Sequence, residues 1–265
     1  MTTALRAPAA ATAWFPFAEH PGSVGPRLYC LPHAGGSASA FRSWFGRIGE
    51  VSVRPVQPPG RETRLRETPY REMDRLVADL ADAVLADLVD EGPAGGPVRP
   101  YAVYGHSLGA LEAFELVREI RRRGGPDPLH LFVSGCGAPG DDPDADEPPI
   151  GAMSDEQVVA LLRRIGGTPE WMLGDPSVLR MILPPFRADF AVKESHAPRA
   201  EPPLAVPVTA LAADGDARTG TAGMAGWERH TTGPFQAYTL SGGHFAVLEQ
   251  AGVTQRYIAR ALWGA

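Results

Sequence analysis

"YAVYGHSLGALEAF", residues 101–114, passes from strand-like to helix-like character around one serine set between two glycines. Gly105-His106-Ser107-Leu108-Gly109 fits G-x-S-x-G, a tight strand-to-helix turn that lifts a hydroxyl clear of the backbone and tolerates only glycine two positions to either side. With 30 glycines in 265 residues, a chance match arises in on the order of one such chain in ten, so the pentapeptide alone is a weak signal. Its setting strengthens it. The run 101–104 is apolar and bounded by Pro100, while 108–123 reads as a mostly apolar helix ended by Gly124, with Arg121, Arg122 and Arg123 at the negative end of its dipole.

Outward from this turn, apolar, β-rich runs recur at 28–31, 51–56, 129–134, 206–211 and 235–240, most of them bounded by Pro or Gly. Between the second run and residue 101, Met73, Leu76, Val77, Leu80, Val84 and Leu88 follow helical spacing, with Asp74, Asp79, Asp82 and Asp87 elsewhere on the surface. Strand alternating with helix predicts a mainly parallel sheet, helices on both faces and sites at the carboxyl ends of the strands. A chain of 265 residues suits one such domain. The connection 135–205 is far longer than the dozen or so residues a crossover needs. It opens with the acidic "GDDPDADEPP" and then resumes helical signals: Ser154 and Gln157 form a capping box, and Asp175-Pro176 suits the start of a helix carrying Val178, Leu179 and Ile182. Residues 141–203 are therefore expected to form a helical lid, and residues 1–22 a flexible tail.

Lys plus Arg is 25 and Asp plus Glu 31, a formal charge of −6, with no basic arm of the kind that neutralises phosphates, so nucleic acid is not an expected partner. Cys30 and Cys136, the two cysteines, are read as reduced thiols of a cytoplasmic protein. No stretch approaches the ~18 apolar residues of a membrane span. The zinc, P-loop and dinucleotide patterns are missing. Asp142, Asp144 and Asp146 mimic the start of a calcium loop, but Glu147 and Met153 stand where Gly and Glu are required; no metal is expected.

A serine hydroxyl attacks only when a base takes its proton, so Ser107 requires a histidine and, before it in the chain, a carboxylate. His244, in "LSGGHFAVLEQ" after the last strand, fits the base. His230 reads as a surface residue, His196 belongs to the insertion, His130 to a strand and His20 to the tail. "TALAADGDAR" offers Asp214 and Asp216 just beyond a strand end; Asp216 is preferred as the acceptor of the imidazole Nδ1 proton. Two backbone donors must receive an oxyanion: the amide of Leu108, after the serine, and one from "LPHAGG", where Ala34 is the first choice and His33 orders the loop.

In that order, "LPHAGGSASAF", "QPPGRETRL", "GHSLGA", "LPPFRADF", "GWERHTTGPF" and "GGHFAV" resemble the stand-alone type II thioesterases that accompany polyketide synthases and non-ribosomal peptide synthetases, over residues 26–260. The resemblance implies an α/β-hydrolase fold, a Ser107–Asp216–His244 triad and oxyanion donors at Ala34 and Leu108. It further implies hydrolysis of acyl groups from the phosphopantetheine arm of acyl- or peptidyl-carrier proteins, with no cofactor of the enzyme's own. The protein is expected to act as a monomer. Trp171, Met181, Phe186 and Phe190, with Met172 and Ile182 beside them, are the candidates for an acyl chamber. Arg61, Arg64, Arg66 and Arg71 form the candidate surface for an acidic carrier. The alternatives are a carboxylesterase, lipase-like or amide-cleaving enzyme of the same fold, and a non-catalytic carrier-binding protein.

Overall fold

Of the runs bounded by Pro and Gly, the ones at 28–31, 101–104 and 131–133 are apolar at successive positions, the pattern of strands covered on both faces, while those at 51–56 and 235–240 place polar residues among apolar ones. In the computed structural model, which describes residues 13–17, 25–89, 98–141 and 148–264, they form strands β1 (Arg27–Leu31), β2 (Ser52–Pro55), β3 (Tyr101–His106), β4 (Leu131–Ser134), β5 (Val208–Ala213) and β6 (Phe235–Leu240). They make one sheet in the order β2-β1-β3-β4-β5-β6, with every pairing parallel. All the expected strands are present.

Because strand side chains alternate between faces, Tyr29 and Leu31 join one buried cluster while Leu28 and Cys30 join another. Helices α1 (Met73–Leu88) and α2 (Leu108–Arg122) cover the first face through Leu76, Leu80, Leu116 and Val117. Phe41, Trp44 and Ile258 cover the second. The first core also takes in Trp14 and Phe15: Gln57 N–H donates to the Trp14 carbonyl at 2.8 Å, and the Arg64 guanidinium lies 4.4 Å from the Trp14 ring centroid. Residues 13–17 are thus packed, and the expectation of a flexible tail fails over that pentapeptide; residues 1–12 and 18–24 lie outside the described residues.

The insertion forms α3 (Asp155–Ile165), α4 (Glu170–Leu173) and α5 (Pro176–Glu194). The Ser154–Gln157 capping box is present, and the Asp175 carboxylate accepts from Ser177 N–H at 2.7 Å. Helix α5 continues through Pro184 and Pro185, which lack the N–H needed for intrahelical bonding. Burial of Leu183, Phe186, Ala188 and Val192 on the face beyond them compensates, and sequence signals mark only the start of this helix. A separate small core, including Val158, Leu162, Leu173 and Phe186, holds the lid together. The calcium-loop mimic at Asp142, Asp144 and Asp146 lies outside the described residues. Helix α6 (Gly220–Ala225) lies between β5 and β6, and α7 (Ala246–Glu249) and α8 (Ala251–Trp263) follow β6.

Candidate active site

The chain reverses its order of strand addition between β1 and β3, and such a switch point opens a crevice at the carboxyl ends of the strands. Leu31 pairs with Gly105 across that switch, so the loop after β1, carrying Ala34, and the turn after β3, carrying Ser107, begin side by side. Ser107 has φ 57° and ψ −123°, a conformation costing about 1–3 kcal/mol for a residue with a Cβ. The turn is forced by close approach: a Cβ on Gly105 would stand 2.0 Å from the Gly109 carbonyl oxygen, and one on Gly109 would stand 2.4 Å from that of Leu31. Ser107 N–H donates to the Ser134 carbonyl at 2.7 Å, pinning the turn to β4. Leu108 opens α2, so its amide has no intrahelical partner and sits at the positive end of the helix.

Ala213 pairs with Leu240 in the β5–β6 ladder, which sends the loops bearing Asp216 and His244 out together. Asp216 Oδ2 and His244 Nδ1 are hydrogen-bonded at 2.9 Å, and both residues are buried. Burial pushes the Asp216 carboxyl up, but the hydrogen bond and charge of His244 and the backbone N–H groups of Arg218 and Thr219 outweigh it and hold the group below the usual carboxylate range. Asp214 is exposed and does something else: it accepts from Ser241 Oγ at 3.0 Å and Gly242 N–H at 2.9 Å, bracing the loop that leads to His244. To return from β6 towards Ser107 the imidazole passes over the end of β4, where a Cβ on Gly135 would stand 3.1 Å from His244 Cε1 and 2.7 Å from His106 Cε1. Only glycine leaves that path open.

Ser107 and His244 line one cavity of about 420 Å³ together with Ala34 and Leu108, within the range of small-molecule sites. No hydrogen bond joins the Ser107 hydroxyl to the imidazole among the described residues; such contacts tighten in a substrate complex. His33 and His106 flank the site, with ring centroids 6.0 Å apart and His106 5.0 Å from His244. Burial, then repulsion from His244 and Arg61, brings His33 down to about 4. Burial, then His244 and His33, brings His106 well below the ordinary imidazole value. His106 and His33 are therefore held neutral beside His244, and His33 packs edge-on against Phe245 with ring centroids 4.8 Å apart.

This geometry can be compared with known proteins. The Thioesterase domain family matches residues 26–261. The chain belongs to that thioesterase family. It is similar to "Gramicidin S biosynthesis protein GrsT" of Aneurinibacillus migulanus, 36% identical over 89% of this chain and 88% of the relative. It is also similar to "Thioesterase PikA5" of Streptomyces venezuelae, 40% identical over 84% of this chain and 76% of the relative. Among solved structures it resembles the RedJ thioesterase from the prodiginine biosynthetic pathway of Streptomyces coelicolor, with a TM-score of 0.79 and 35% identity over 95% of this chain and 99% of that one. The fold is that of the α/β-hydrolases.

In this thioesterase, Phe186 and Phe190 line the cavity with Met172 and Ile182. Trp171 and Met181 do not: they are 69% and 64% exposed, because one helical step of 100° turns each away from the neighbour that faces inward. The arginine surface is also revised. Arg66 and Arg71 are exposed, but Arg61 and Arg64 are buried, Arg61 against Asp189 and Arg64 against Glu67. His230 is half-buried between Phe114 and Trp227 and is not a surface residue. His196 accompanies Glu115 at 3.0 Å, and His130 meets Thr209 at 2.8 Å. Cys136 borders the cavity and is not part of a disulfide. Sequence reasoning missed Glu112, on α2, whose carboxyl is pushed up to about 8 by burial and by Asp189, against the pull of Arg61. A glutamate in the apolar first turns of the helix, flanked by Leu111 and Ala113, was the available signal.

Proposed function

We propose that the protein is a serine thioesterase that releases acyl groups from the phosphopantetheine arm of carrier proteins in polyketide or non-ribosomal peptide biosynthesis. The observation that carries the reading is the Asp216–His244 hydrogen bond of 2.9 Å at the rim of the cavity that Ser107 lines, in a chain of the thioesterase family. The relatives named for gramicidin S and prodiginine biosynthesis support the biosynthetic setting. A partner's arm carries the substrate, so the enzyme needs no cofactor of its own. We assign it to the cytoplasm, as a monomer; no helix among the described residues is long and apolar enough to cross a membrane.

The Asp216 carboxylate accepts a hydrogen bond from His244 Nδ1–H, which keeps the proton on Nδ1 and leaves Nε2 as the acceptor. Nε2 takes the Ser107 proton while Oγ attacks the thioester carbonyl, and the oxyanion is received by the Ala34 and Leu108 amides. Collapse breaks the carbon–sulfur bond and the sulfur leaves as the thiol with the proton held on His244, which returns the imidazole to its neutral form. With a thiol pKa near ~8.5 its departure asks little of an acid. Water, deprotonated by the same imidazole, then cleaves the acyl-Ser107 ester to give the free acid and the resting enzyme. Phe186 and Phe190 line the acyl chamber.

The same triad serves oxygen esters and amides, so the test is a matched set: one acyl chain presented as carrier-bound thioester, small thioester, oxyester and amide. The proposal expects kcat/KM to be highest for the carrier-bound thioester. An oxyester or amide preferred over both thioesters would replace this reading with an esterase or amidase. Carrier binding without turnover of any member would replace it with a binding protein.

A further inference from the structure

The lid meets the sheet at one buried carboxylate whose partners lie on the loop carrying Ala34. Asp189 projects from α5 and is 6% exposed; Arg61, on the loop after β2, is 7% exposed. Their pairing is two-pronged, Nη1 to Oδ2 at 2.5 Å and Nη2 to Oδ1 at 2.6 Å, the geometry in which an arginine fork fixes a carboxylate in direction as well as distance. Asp189 Oδ2 also accepts the Gly35 N–H at 2.7 Å. Arg61 Nη1 donates to the Gly36 carbonyl at 3.1 Å, and Gly36 N–H donates to the His33 carbonyl at 2.8 Å. The peptide groups around Ala34 are thus held on both sides, two of them by this ion pair.

The same turn of α5 borders the acyl chamber. Phe186 and Phe190, three before and one after Asp189, line it, and a Cβ on Gly35 would stand 3.3 Å from Phe186 Cδ2. The Ala34 side chain itself packs against both the lid core and the sheet core. Nothing in the reaction requires a lid carboxylate to touch substrate. Its placement makes sense as a brace for the loop beneath.

We propose that Asp189, clamped by Arg61, is a positioning residue that holds the Ala34 amide in place for the oxyanion, so that the helix lining the acyl chamber also sets the oxyanion site. The inference rests on the reading of Ala34 as an oxyanion donor. A polar group misplaced by about 1 Å costs on the order of 100-fold in rate, and loss of one oxyanion donor costs about 100- to 1,000-fold.

The test is steady-state hydrolysis of a small acyl thioester by the full chain carrying Asp189→Asn, Asp189→Ala, Arg61→Lys or Ser107→Ala, with melting temperatures for each. Asn retains an oxygen for the Gly35 N–H but loses the charge that Arg61 needs. The expected result is a kcat lowered about tenfold in Asp189→Asn and about 100-fold in Asp189→Ala, with KM within about threefold of wild type. Arg61→Lys, which keeps the charge but not the fork, is expected to fall with Asp189→Asn. A trifluoromethyl ketone bearing the same acyl chain forms a tetrahedral oxyanion adduct, and its affinity should fall by the same factors as kcat/KM.

Wild-type kcat in a folded Asp189→Asn variant overturns the proposal. So does a loss confined to KM, or one that leaves ketone affinity unchanged. Asp189→Asn is nearly isosteric and carries the test if Asp189→Ala does not fold. Ser107→Ala separates the two layers: if it hydrolyses at the wild-type rate, the serine mechanism itself fails. If it is inactive while the Asp189 and Arg61 variants are fully active, only the brace fails.

Discussion

The rim of the sheet and the lid above it are built by different means. At the rim, Ser107, Ala34, Asp216 and His244 each follow closely on a strand end, and their meeting is set by ladder pairs such as Leu31–Gly105 and Ala213–Leu240. The lid is tied down by side chains: Asp189 to Arg61 and Gly35, and Ser195 Oγ accepting Met73 N–H at 2.9 Å. Backbone geometry leaves the rim no alternative arrangement. Side-chain ties leave the lid individually breakable, which suits the proposed entry of a substrate arm beneath it.

The contrast can be broken at its strongest point by Ser107→Ala. Its turnover should fall by about 10⁴- to 10⁶-fold, while thermal unfolding changes little, because alanine keeps the Cβ that makes φ 57° costly. Retained turnover in a steady-state assay would move the chemistry elsewhere. Asp216→Asn should lower kcat by about 10⁴-fold with little change in KM, because the wrong imidazole tautomer is then favoured. Asp214→Asn, altering only the brace of the loop, should cost less than about tenfold. Equal losses in the two would show that both aspartates merely shape the loop.

Backbone constraint at the rim predicts that Gly105→Ala destabilises by more than about 4 kcal/mol, or prevents folding, in denaturant titration. On the lid, Trp171→Ala at a 69% exposed position should change stability by no more than about 0.5 kcal/mol. A tolerant Gly105 would undo the account of the turn.

Glu112 sharpens the comparison where the two regions touch. Its folded pKa is raised to about 8, so between the ordinary carboxylate range and about pH 8 the native state keeps a proton that the unfolded chain has lost. Stability should therefore decline as pH rises through that window and level off above it. Glu112→Gln should remove this slope: its melting temperature should match wild type near pH 5 and exceed it by several degrees near pH 8.5. A difference that does not vary with pH would show that Glu112 is ionised in the fold.

What could be read from residues alone follows the same division. The turn at 101–114 was legible because its constraint is local: two glycines, each within two residues of the serine. The strands were legible because residues such as Leu28 to Leu31 are apolar on both faces. Asp216 and His244 followed from chain order, although the choice over Asp214 needed the 2.9 Å contact. The Arg61–Asp189 pair spans 128 positions, and an arginine in "QPPGRETRL" carries no mark of the buried carboxylate that holds it. Trp171 and Met181 were misplaced because the phase of a lid helix depends on where the cavity lies. Sequence supplies the apolar residues but not that direction.

The most direct measurement is to treat the protein with a fluorophosphonate probe and map the adduct by peptide mass spectrometry. The account predicts one adduct, on Ser107, formed in step with the loss of thioesterase activity and greatly slowed in His244→Ala. An adduct at another residue, or thioester hydrolysis that continues unchanged while Ser107 is fully modified, would contradict it.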